Sequence, residues 1–424
     1  MPKNICLRSF LRYILLHVLK KHVFSAEEYG GLKDGINYAF ITCMDNIMDN
    51  IIINDTTLRD GEQTAGIVFS IDEKLFIAKM LDETGVDEIE AGIPVMGGDE
   101  KNAVKKINEA GFNAKIAGWN RAKKEDIYAS LDIGLKFIHV SVPVSKIHIE
   151  YKLKKDFQYV KANLISILKI LNKEGVKYSV GGEDSSRADL ESVAEIIKIA
   201  EGEGAYKFRY SDTVGILNPL KIYKNIKKLK GGGQFKNIML EIHTHNDFGM
   251  ASANSVAALK AGAGSLSGSI SGIGERAGNC ALEEVIAYFN FIENRKIKFD
   301  FIKAKNLAKF IAKITKRQIP VSKPIFGKNI FYHEAGIHTD GILKNPINYE
   351  AYPPEFVGAK RKLLLGKHGG SSAIKYKLNK MGIQITDEDA GYLLAAVKAE
   401  SAGLKRCLSD KELFVLYQNR RNSC

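Results

Sequence analysis

One arrangement recurs through most of this 424-residue chain and limits the folds available to it. A helical stretch ends in acidic or small residues, a glycine follows, and a short apolar segment comes next. A glycine after a helix readily takes the left-handed conformation that turns the chain back into a strand. The joints are at Gly85, Gly111, Gly134, Gly175, Gly202 or Gly204, residues 231–233, and Gly262 or Gly264. With the apolar run at residues 51–53 in front, these joints predict eight strands that alternate with helices.

Strands that alternate with helices favour a parallel sheet. Eight such units predict a closed (β/α)8 barrel, the TIM barrel, whose active sites lie at the carboxyl ends of the strands. A doubly wound open sheet is the alternative, but no G-x-G-x-x-G motif follows the first strand, which disfavours its dinucleotide-binding version. We therefore expect an α/β protein with a catalytic barrel over residues 48–300. A mostly helical C-terminal region, with a lid or linker segment, is expected over residues 301–424.

The N-terminal residues 1–47 do not fit this scheme. Residues 10–19 are apolar enough to resemble a signal peptide, but Arg12 and His17 interrupt them and no small-residue cleavage site follows. The run is also too short to cross a bilayer, although a basic amphipathic surface helix is an alternative. Because Met44 and Met48 lie just before the first predicted strand, we expect residues 1–47 to be an extension that is poorly ordered or not native to the mature protein.

Charge and cysteine content disfavour several classes of partner. The formal net charge is +13 at pH 7, but lysines and arginines are spread along predicted helices, without a basic stripe interleaved with aromatic residues. We therefore expect neither nucleic-acid binding nor stable membrane association. Five cysteines without a C-x-x-C pair indicate neither a disulfide framework nor a zinc ribbon, which favours a cytoplasmic location.

Polar side chains of complementary chemistry crowd the end of the first predicted strand. The segment 55–63, DTTLRDGEQ, contains Arg59, Asp60 and Gln63 around Gly61. A carboxylate can hold a cation, and a neighbouring guanidinium can hold a carboxylate or a carbonyl with its fork of donors. A solvated, charged turn is the alternative for this segment alone. Polar residues also follow the other predicted strands, so the chemically capable side chains share one face of the predicted barrel.

Two histidines on the seventh predicted strand are candidate metal ligands. His243 and His245 are two residues apart, so their imidazoles point to the same side of the strand, here the barrel interior. Hydrogen-bonded core histidines are the alternative. Asp60 would supply an oxygen ligand and Asn279 a neutral one. Such a set leaves positions open for substrate and suits Zn, Mn, Mg, Co or Fe rather than a closed structural zinc site.

Four segments, in order, resemble those of one enzyme family. They are DTTLRDGEQ at 55–63, H-x-H at 243–245, GERAGN at 274–279 and GIHTDG at 336–341. With these segments, the chain from residue 51 to at least residue 380 resembles the metal-dependent acyl-CoA condensing enzymes. That family comprises homocitrate, 2-isopropylmalate and citramalate synthases, with 3-hydroxy-3-methylglutaryl-CoA lyase as a more distant relative.

The resemblance implies a condensation of acetyl-CoA with a 2-oxo acid. A divalent metal would hold the oxo acid through its carboxylate and keto oxygens, acetyl-CoA would lose a methyl proton and attack the keto carbon, and thioester hydrolysis would release CoA. The implied roles are metal ligation by Asp60, His243, His245 and Asn279, alkoxide stabilisation by Arg59, carboxylate binding by Gln63 and Thr213, and acid–base catalysis by Glu183 and His338 with Tyr349 beside them.

The substrate is implied by two further strings, VGGEDSSRADL at 180–190 and SVPVS at 141–145. They resemble the nitrogenase-associated homocitrate synthases, which implies 2-oxoglutarate as substrate, (R)-homocitrate as product, and a role in nitrogen fixation or amino-acid biosynthesis. The second carboxylate of 2-oxoglutarate needs a cation or donor to bind it. The candidates are His139, Ser141, Arg121 and Arg187.

Several alternatives stay open. We expect no room in this chain for the leucine-binding domain of bacterial isopropylmalate synthases, which disfavours an isopropylmalate synthase without excluding it. The alternatives within the family are therefore 2-isopropylmalate, citramalate and Re-type citrate synthases. An acyl-CoA lyase and a non-catalytic metal-binding protein are the rival classes.

The segment 323–354, which is rich in glycine and proline, carries His338 and Tyr349 beyond the predicted barrel. In relatives this segment reaches over the barrel mouth of a neighbouring subunit, so the resemblance implies a homodimer with shared active sites. Lyases of the superfamily lack the segment, which favours a synthase. We expect His333 and His368, in the same region, to be ordinary surface or core histidines.

Overall fold

A closed barrel of eight parallel strands forms the centre of the protein. The structure is a computed structural model that describes residues 51–422. The barrel strands are β1 (Ile52–Asp55), β2 (Glu88–Gly92), β3 (Lys115–Arg121), β4 (Phe137–Pro143), β5 (Lys177–Glu183), β6 (Lys207–Asp212), β7 (Met239–Thr244) and β8 (Ser265–Gly268). They pair in chain order, and β8 closes the ring against β1. This confirms the predicted (β/α)8 fold; the extension expected at residues 1–47 lies outside the described residues.

Helices surround the barrel between successive strands. They are α1 (Ile71–Thr84), α2 (Gly98–Glu109), α3 (Lys124–Leu131), α4 (Phe157–Lys173), α5 (Leu190–Gly202), α6 (Pro219–Lys230), α7 (Ala251–Lys260) and α8 (Leu282–Phe291). Local signals set their ends: Ser70 and Glu73 form a capping box at the start of α1, and Gly85 ends it with a φ of 91°. At the last joint Gly262 takes the left-handed conformation, with a φ of 111°.

The barrel interior is unusually polar. Apolar side chains such as Ile89, Val140 and Ile242 belong to the buried apolar core, while alternate positions of the strands face the interior. Five of the buried interior residues are charged: Glu88, Glu90, Lys207, Arg209 and Glu241. Ion pairs between β2 and β6, which are not neighbours in the sheet, show that these side chains cross the interior. TIM barrels usually fill this space with branched apolar side chains.

The chain after the barrel is mostly helical, as predicted. Helix α9 (Phe301–Ile314) packs on the barrel, where the rings of Phe310 and Phe76 have centroids 4.6 Å apart. The other strands and α-helices of this region are β9 (Tyr332–His333), α10 (Gly336–Lys344), β10 (Lys362–Leu363), α11 (Ser371–Lys380), α12 (Asp387–Leu404) and α13 (Asp410–Asn422). The last three helices pack around an apolar cluster of their own. Within residues 51–422 no helix has the length and apolar content needed to cross a bilayer.

Candidate active site and metal centre

Three candidate metal ligands converge at the carboxyl end of the barrel. Asp60 lies in the π-helical turn Thr57–Gly61 after β1, while His243 is near the end of β7 and His245 follows it. Asp60 Oδ2 is 3.4 Å from His243 Nε2 and 3.9 Å from His245 Nε2. All three side chains are buried, and their ligand atoms lie within 4.8 Å of one another. Among residues 51–422, no other group of His, Cys, Asp or Glu side chains was found that could hold a metal ion.

The surroundings of this cluster fit a divalent cation. Asp60 Oδ1 and Asn279 Oδ1 are buried and have no hydrogen-bond partner in the described part of the chain. His243 Nδ1 is 3.1 Å from Ser267 Oγ, which fixes the ring with Nε2 toward Asp60. Burial and the neighbouring His243 lower the pKa of His245 to about 3, so its imidazole is neutral. Two imidazoles, a carboxylate and a free amide oxygen form a mixed N/O donor set suited to such a cation.

Arg59 holds a buried positive charge beside the cluster. Its Nη1 donates to Asp60 Oδ2 at 2.7 Å, and its Nε donates to Glu90 Oε2 at 2.8 Å. The exposed Gln63 is nearby, with Oε1 3.5 Å from Nη1. Arg59 Nη2 has no hydrogen-bond partner within residues 51–422, so it is free to donate to a bound molecule. Because the side chain is only 8% exposed, little water screens its charge.

The interior-facing ends of β4 and β5 carry polar or small groups. His139 is buried with Nδ1 2.8 Å from Ser179 Oγ, and burial together with Arg209 holds the pKa of His139 well below its usual value. Ser141 lies opposite Gly181 in the strand register. A Cβ on Gly181 would lie 2.6 Å from His139 Nε2, so the imidazole can occupy this position only because residue 181 lacks a side chain.

Two of the four candidates for binding a second carboxylate are already paired. The Arg121 guanidinium donates to Asp126 from both Nε and Nη2 at 2.8 Å. Arg187 Nε donates to Asp184 Oδ1 at 2.8 Å. Each of these two arginines therefore already has a carboxylate partner in this chain, which makes His139 and Ser141 the better candidates. His139 and Ser141 remain as the donors, and Thr213 Oγ1, which accepts from Asp184 N at 2.8 Å, is close to the same strand ends.

The expected acid–base residues are divided between two parts of the structure. Glu183, at the end of β5, pairs with Lys152 Nζ at 2.6 Å and has His148 Nδ1 at 3.6 Å. His338, on α10, is exposed and stacks on Tyr349 with ring centroids 4.2 Å apart. In the part of the chain that the structure describes, no hydrogen bond or ion pair joins Glu183 to His338.

The other two histidines of this region have ordinary surroundings. His333 Nε2 is 3.3 Å from Glu350 Oε1, and His368 is exposed. Both agree with the expectation of surface or core histidines.

Sequence reasoning missed the charged residues inside the barrel. Glu88 and Glu90 are two residues apart in β2, and Lys207 and Arg209 are two residues apart in β6. Charges repeated at the strand period were the available signal, because two residues at this spacing face the same side. It also missed His148 and Lys152, which no strand-end motif marks.

The closed barrel carries a buried aspartate and two histidines beside a free guanidinium donor. These features are those of a metal-binding TIM-barrel protein. The chain belongs to the HMGL-like family, whose family model matches residues 50–311. Residues 325–404 match a second model, described as "Homocitrate synthase post-HMGL domain-like". The match of both models supports the fold and motifs that the sequence indicated.

Curated relatives carry three different synthase names. The chain is 46% identical over 369 residues to "2-isopropylmalate synthase 2" of Caldanaerobacter subterraneus subsp. tengcongensis, covering 87% of this chain and 95% of that one. It is 42% identical to "Homocitrate synthase 1" of a Nostoc species, covering 89% and 99%. It is 39% identical to "(R)-citramalate synthase CimA" of Methanocaldococcus jannaschii, covering 86% and 73%. Because the first relative is matched over nearly its whole length, chain length does not argue against an isopropylmalate synthase.

Solved structures agree with the fold. The HMG-CoA lyase of Bacillus subtilis matches 64% of this chain and 96% of its own, with a TM-score of 0.58 at 21% identity. An HMG-CoA lyase from Pseudomonas aeruginosa gives a TM-score of 0.57 at 19% identity, over 64% and 94% of the two chains. At these identities the similarity establishes the barrel and not the reaction.

Proposed function

We propose that this chain is a metal-dependent synthase that condenses acetyl-CoA with a 2-oxo acid and releases CoA. The observation that carries the proposal is the free Nη2 donor of Arg59 beside the buried cluster of Asp60, His243 and His245. A divalent metal bound there would act as a Lewis acid. The synthase names of the three relatives support the same reaction class.

Each residue has a definite task in this proposal. Arg59 donates to the keto oxygen as negative charge develops on it, which is when a fixed cation in a dry site helps most. Gln63 and Thr213 hold the carboxylate of the oxo acid. A histidine supported by a carboxylate is a suitable base near neutrality, so Glu183 and His338 remove the methyl proton of acetyl-CoA, with Tyr349 stacked on His338.

The functional unit in this proposal is a homodimer with shared sites. Its support is the separation of Glu183 from the exposed His338, together with apolar surface on the segment that carries His338. Ile337 and Ile347 are each 77% exposed, and large exposed apolar groups that lie together mark an interaction surface. The barrel mouth of a second chain would cover them and bring the two halves of the acid–base group together.

The oxo acid we propose is 2-oxoglutarate. The interior-facing positions of β4 and β5 offer His139, Ser141 and Ser179 beside Gly181, whereas Val140, Val142 and Val180 stand at the alternate positions of these strands. His139 can accept from Ser179 at Nδ1 and donate from Nε2. A second carboxylate would therefore meet donors, whereas an isopropyl group would leave those buried polar groups unpaired, at a cost of about 1–3 kcal/mol for each.

The main alternative is 2-oxoisovalerate, since the relative at 46% identity is named 2-isopropylmalate synthase 2. Pyruvate and oxaloacetate, the substrates of a citramalate and a Re-type citrate synthase, are the others. An acyl-CoA lyase is less favoured because residues 325–404 match the domain that follows the barrel in homocitrate synthases.

The test of the substrate is CoA release, followed with a thiol reagent, from acetyl-CoA with a divalent metal and each of the four oxo acids. We expect kcat/KM to be highest with 2-oxoglutarate and to be lost when a chelator is added. Preference for another oxo acid would overturn the substrate while leaving the reaction class in place. If none of the four oxo acids gave CoA release and the protein cleaved an acyl-CoA, the lyase would be favoured.

A further inference from the structure

A continuous series of ion pairs runs through the barrel from its interior to the candidate metal site. Lys207 Nζ pairs with Glu88 and Glu241. Arg209 Nε donates to Glu241 Oε1 at 2.5 Å, and Arg209 Nη2 donates to Glu90 Oε1. The series then continues through Glu90 to Arg59 and Asp60.

Glu90 is the shared partner of two guanidinium groups. Its Oε1 accepts from Arg209 and its Oε2 accepts from Arg59 at 2.8 Å. The carboxylate is fully buried, so water does not offset the charge of either partner. Although burial opposes ionisation, Arg209 and Arg59 hold the pKa of Glu90 far below its usual range, and it is a carboxylate at neutral pH.

Glu241, the other partner of Arg209, has several further hydrogen-bond donors and so depends less on the Arg209 guanidinium. Glu241 Oε2 also accepts from Lys207, from Asn54 Nδ2 at 3.1 Å and from Ser265 Oγ at 2.8 Å. Removing the Arg209 guanidinium would leave Glu241 well supplied with donors. Glu90 would keep Arg59 as its one cation, and the full attraction of a buried carboxylate would act on Arg59.

We propose that Arg209 is a positioning residue for the reaction. It donates a hydrogen bond to Glu90 in the barrel interior and balances part of the negative charge of that carboxylate. Glu90 therefore attracts Arg59 less strongly, and Arg59 keeps its free Nη2 donor directed at the substrate. This inference rests on the proposed function of Arg59. Within residues 51–422, Arg209 has no hydrogen bond or ion pair with Asp60, His243 or His245, and in this inference it acts through Glu90. A displacement of Arg59 by about 1 Å would be enough to lower turnover by roughly 100-fold.

The test is a double-variant cycle with Arg209→Met, Glu90→Gln and the pair together, measured as kcat and as KM for the oxo acid. We expect Arg209→Met to lower kcat by about 100-fold with a smaller change in KM. Adding Glu90→Gln removes the unbalanced charge, so the double variant should recover at least about tenfold in kcat over Arg209→Met. Arg209→Lys keeps a positive charge beside Glu90 and should lie between Arg209→Met and the wild type.

Lys207→Met is the matched control, since this buried cation lies in the same series but does not contact Glu90. It should lower the melting temperature and leave kcat within about threefold. Equal loss of kcat in the Lys207 and Arg209 variants, or a double variant no better than Arg209→Met, would reduce Arg209 to a structural role. If Arg209→Met does not fold, the same comparison is made with Arg209→Lys, alone and with Glu90→Gln. If the wild-type protein shows no turnover with any oxo acid, the proposed function is overturned, and this inference with it.

Discussion

Arg59 is the residue on which the proposed chemistry depends most. A guanidinium stays charged at any physiological pH, and here Asp60 and Glu90 fix its position from two sides. Burial makes the charge effective, because its interaction with a developing alkoxide is not screened by water. The combination of permanent charge, fixed geometry and a free donor is what distinguishes it from an arginine that only stabilises the fold.

Arg59→Met should remove most turnover while leaving the metal ligands in place. In the proposed reaction, the negative charge that Arg59 stabilises exists only in the transition state, so we expect kcat to fall about 100- to 1,000-fold with metal content nearly unchanged. Steady-state kinetics and metal analysis of the same preparation check this. Arg121→Met is the control, because Arg121 lies at the rim with Asp126 as its partner; near-normal turnover of the Arg59 variant would refute the assignment.

His243→Ala should reduce metal occupancy. Removing one of the proposed protein ligands from an open site weakens binding, and Ser267 holds the His243 ring with Nε2 toward Asp60. Metal content after dialysis against a weak chelator is the measurement, with His333→Ala as a control histidine that pairs with Glu350 instead. Unchanged occupancy in the His243 variant would count against the ligand assignment.

At the scale of elements, local signals in the sequence were sufficient for the barrel. The capping box at Ser70 and the left-handed Gly85 depend on neighbouring residues only, so they could be recognised without the fold. His243 and His245 could be placed together because strand periodicity is also local.

Pairings between distant elements could not be predicted in this way. Arg121 was one of four candidates for binding a second carboxylate, and its pairing with Asp126, in the first turn of α3, could not be read from the sequence. The contact between β2 and β6 that joins Glu90 to Arg209 crosses the barrel and depends on its closure. Neighbours along the chain carry no information on which charges will meet inside a closed sheet. The cluster of Asp60, His243 and His245 was therefore within reach of the sequence, whereas the buried charges beside it were not.

The position of α10 leads to a prediction about the first chemical step. His338→Ala should stop exchange of the acetyl-CoA methyl protons with solvent, because the proposed base is removed, while binding of the oxo acid persists. Exchange followed by NMR with the oxo acid present, together with calorimetric binding, separates the two. His368→Ala is the control, an exposed histidine of the same region. Unchanged exchange in the His338 variant would mean that another residue is the base.

At the scale of the whole molecule, the proposed site needs two chains. Glu183 belongs to the barrel and His338 to the region beyond it, and each is engaged elsewhere within one chain. A C2 dimer would bring each α10 to the partner's barrel mouth and create two equivalent sites.

Mixing two inactive variants tests this arrangement directly. If Glu183→Gln and His338→Ala chains exchange subunits, half of the dimers are mixed and each mixed dimer has one intact site, so activity should return to about a quarter of the wild-type value. If both residues of a site came from the same chain, each site would keep one defect and no activity would return. Mixed dimers are verified by native mass spectrometry.

The proposed reaction forms a carbon–carbon bond between acetyl-CoA and a 2-oxo acid at a metal site. The most direct measurement is to supply acetyl-CoA labelled with carbon-13 at the methyl group, together with 2-oxoglutarate and a divalent metal, and to follow the label by NMR and mass spectrometry. We expect the label to appear in a new tricarboxylic acid with release of CoA, and to stay in acetyl-CoA when a chelator or Arg59→Met is used. Label found only in free acetate, or no transfer to any 2-oxo acid of the panel, would contradict the claim.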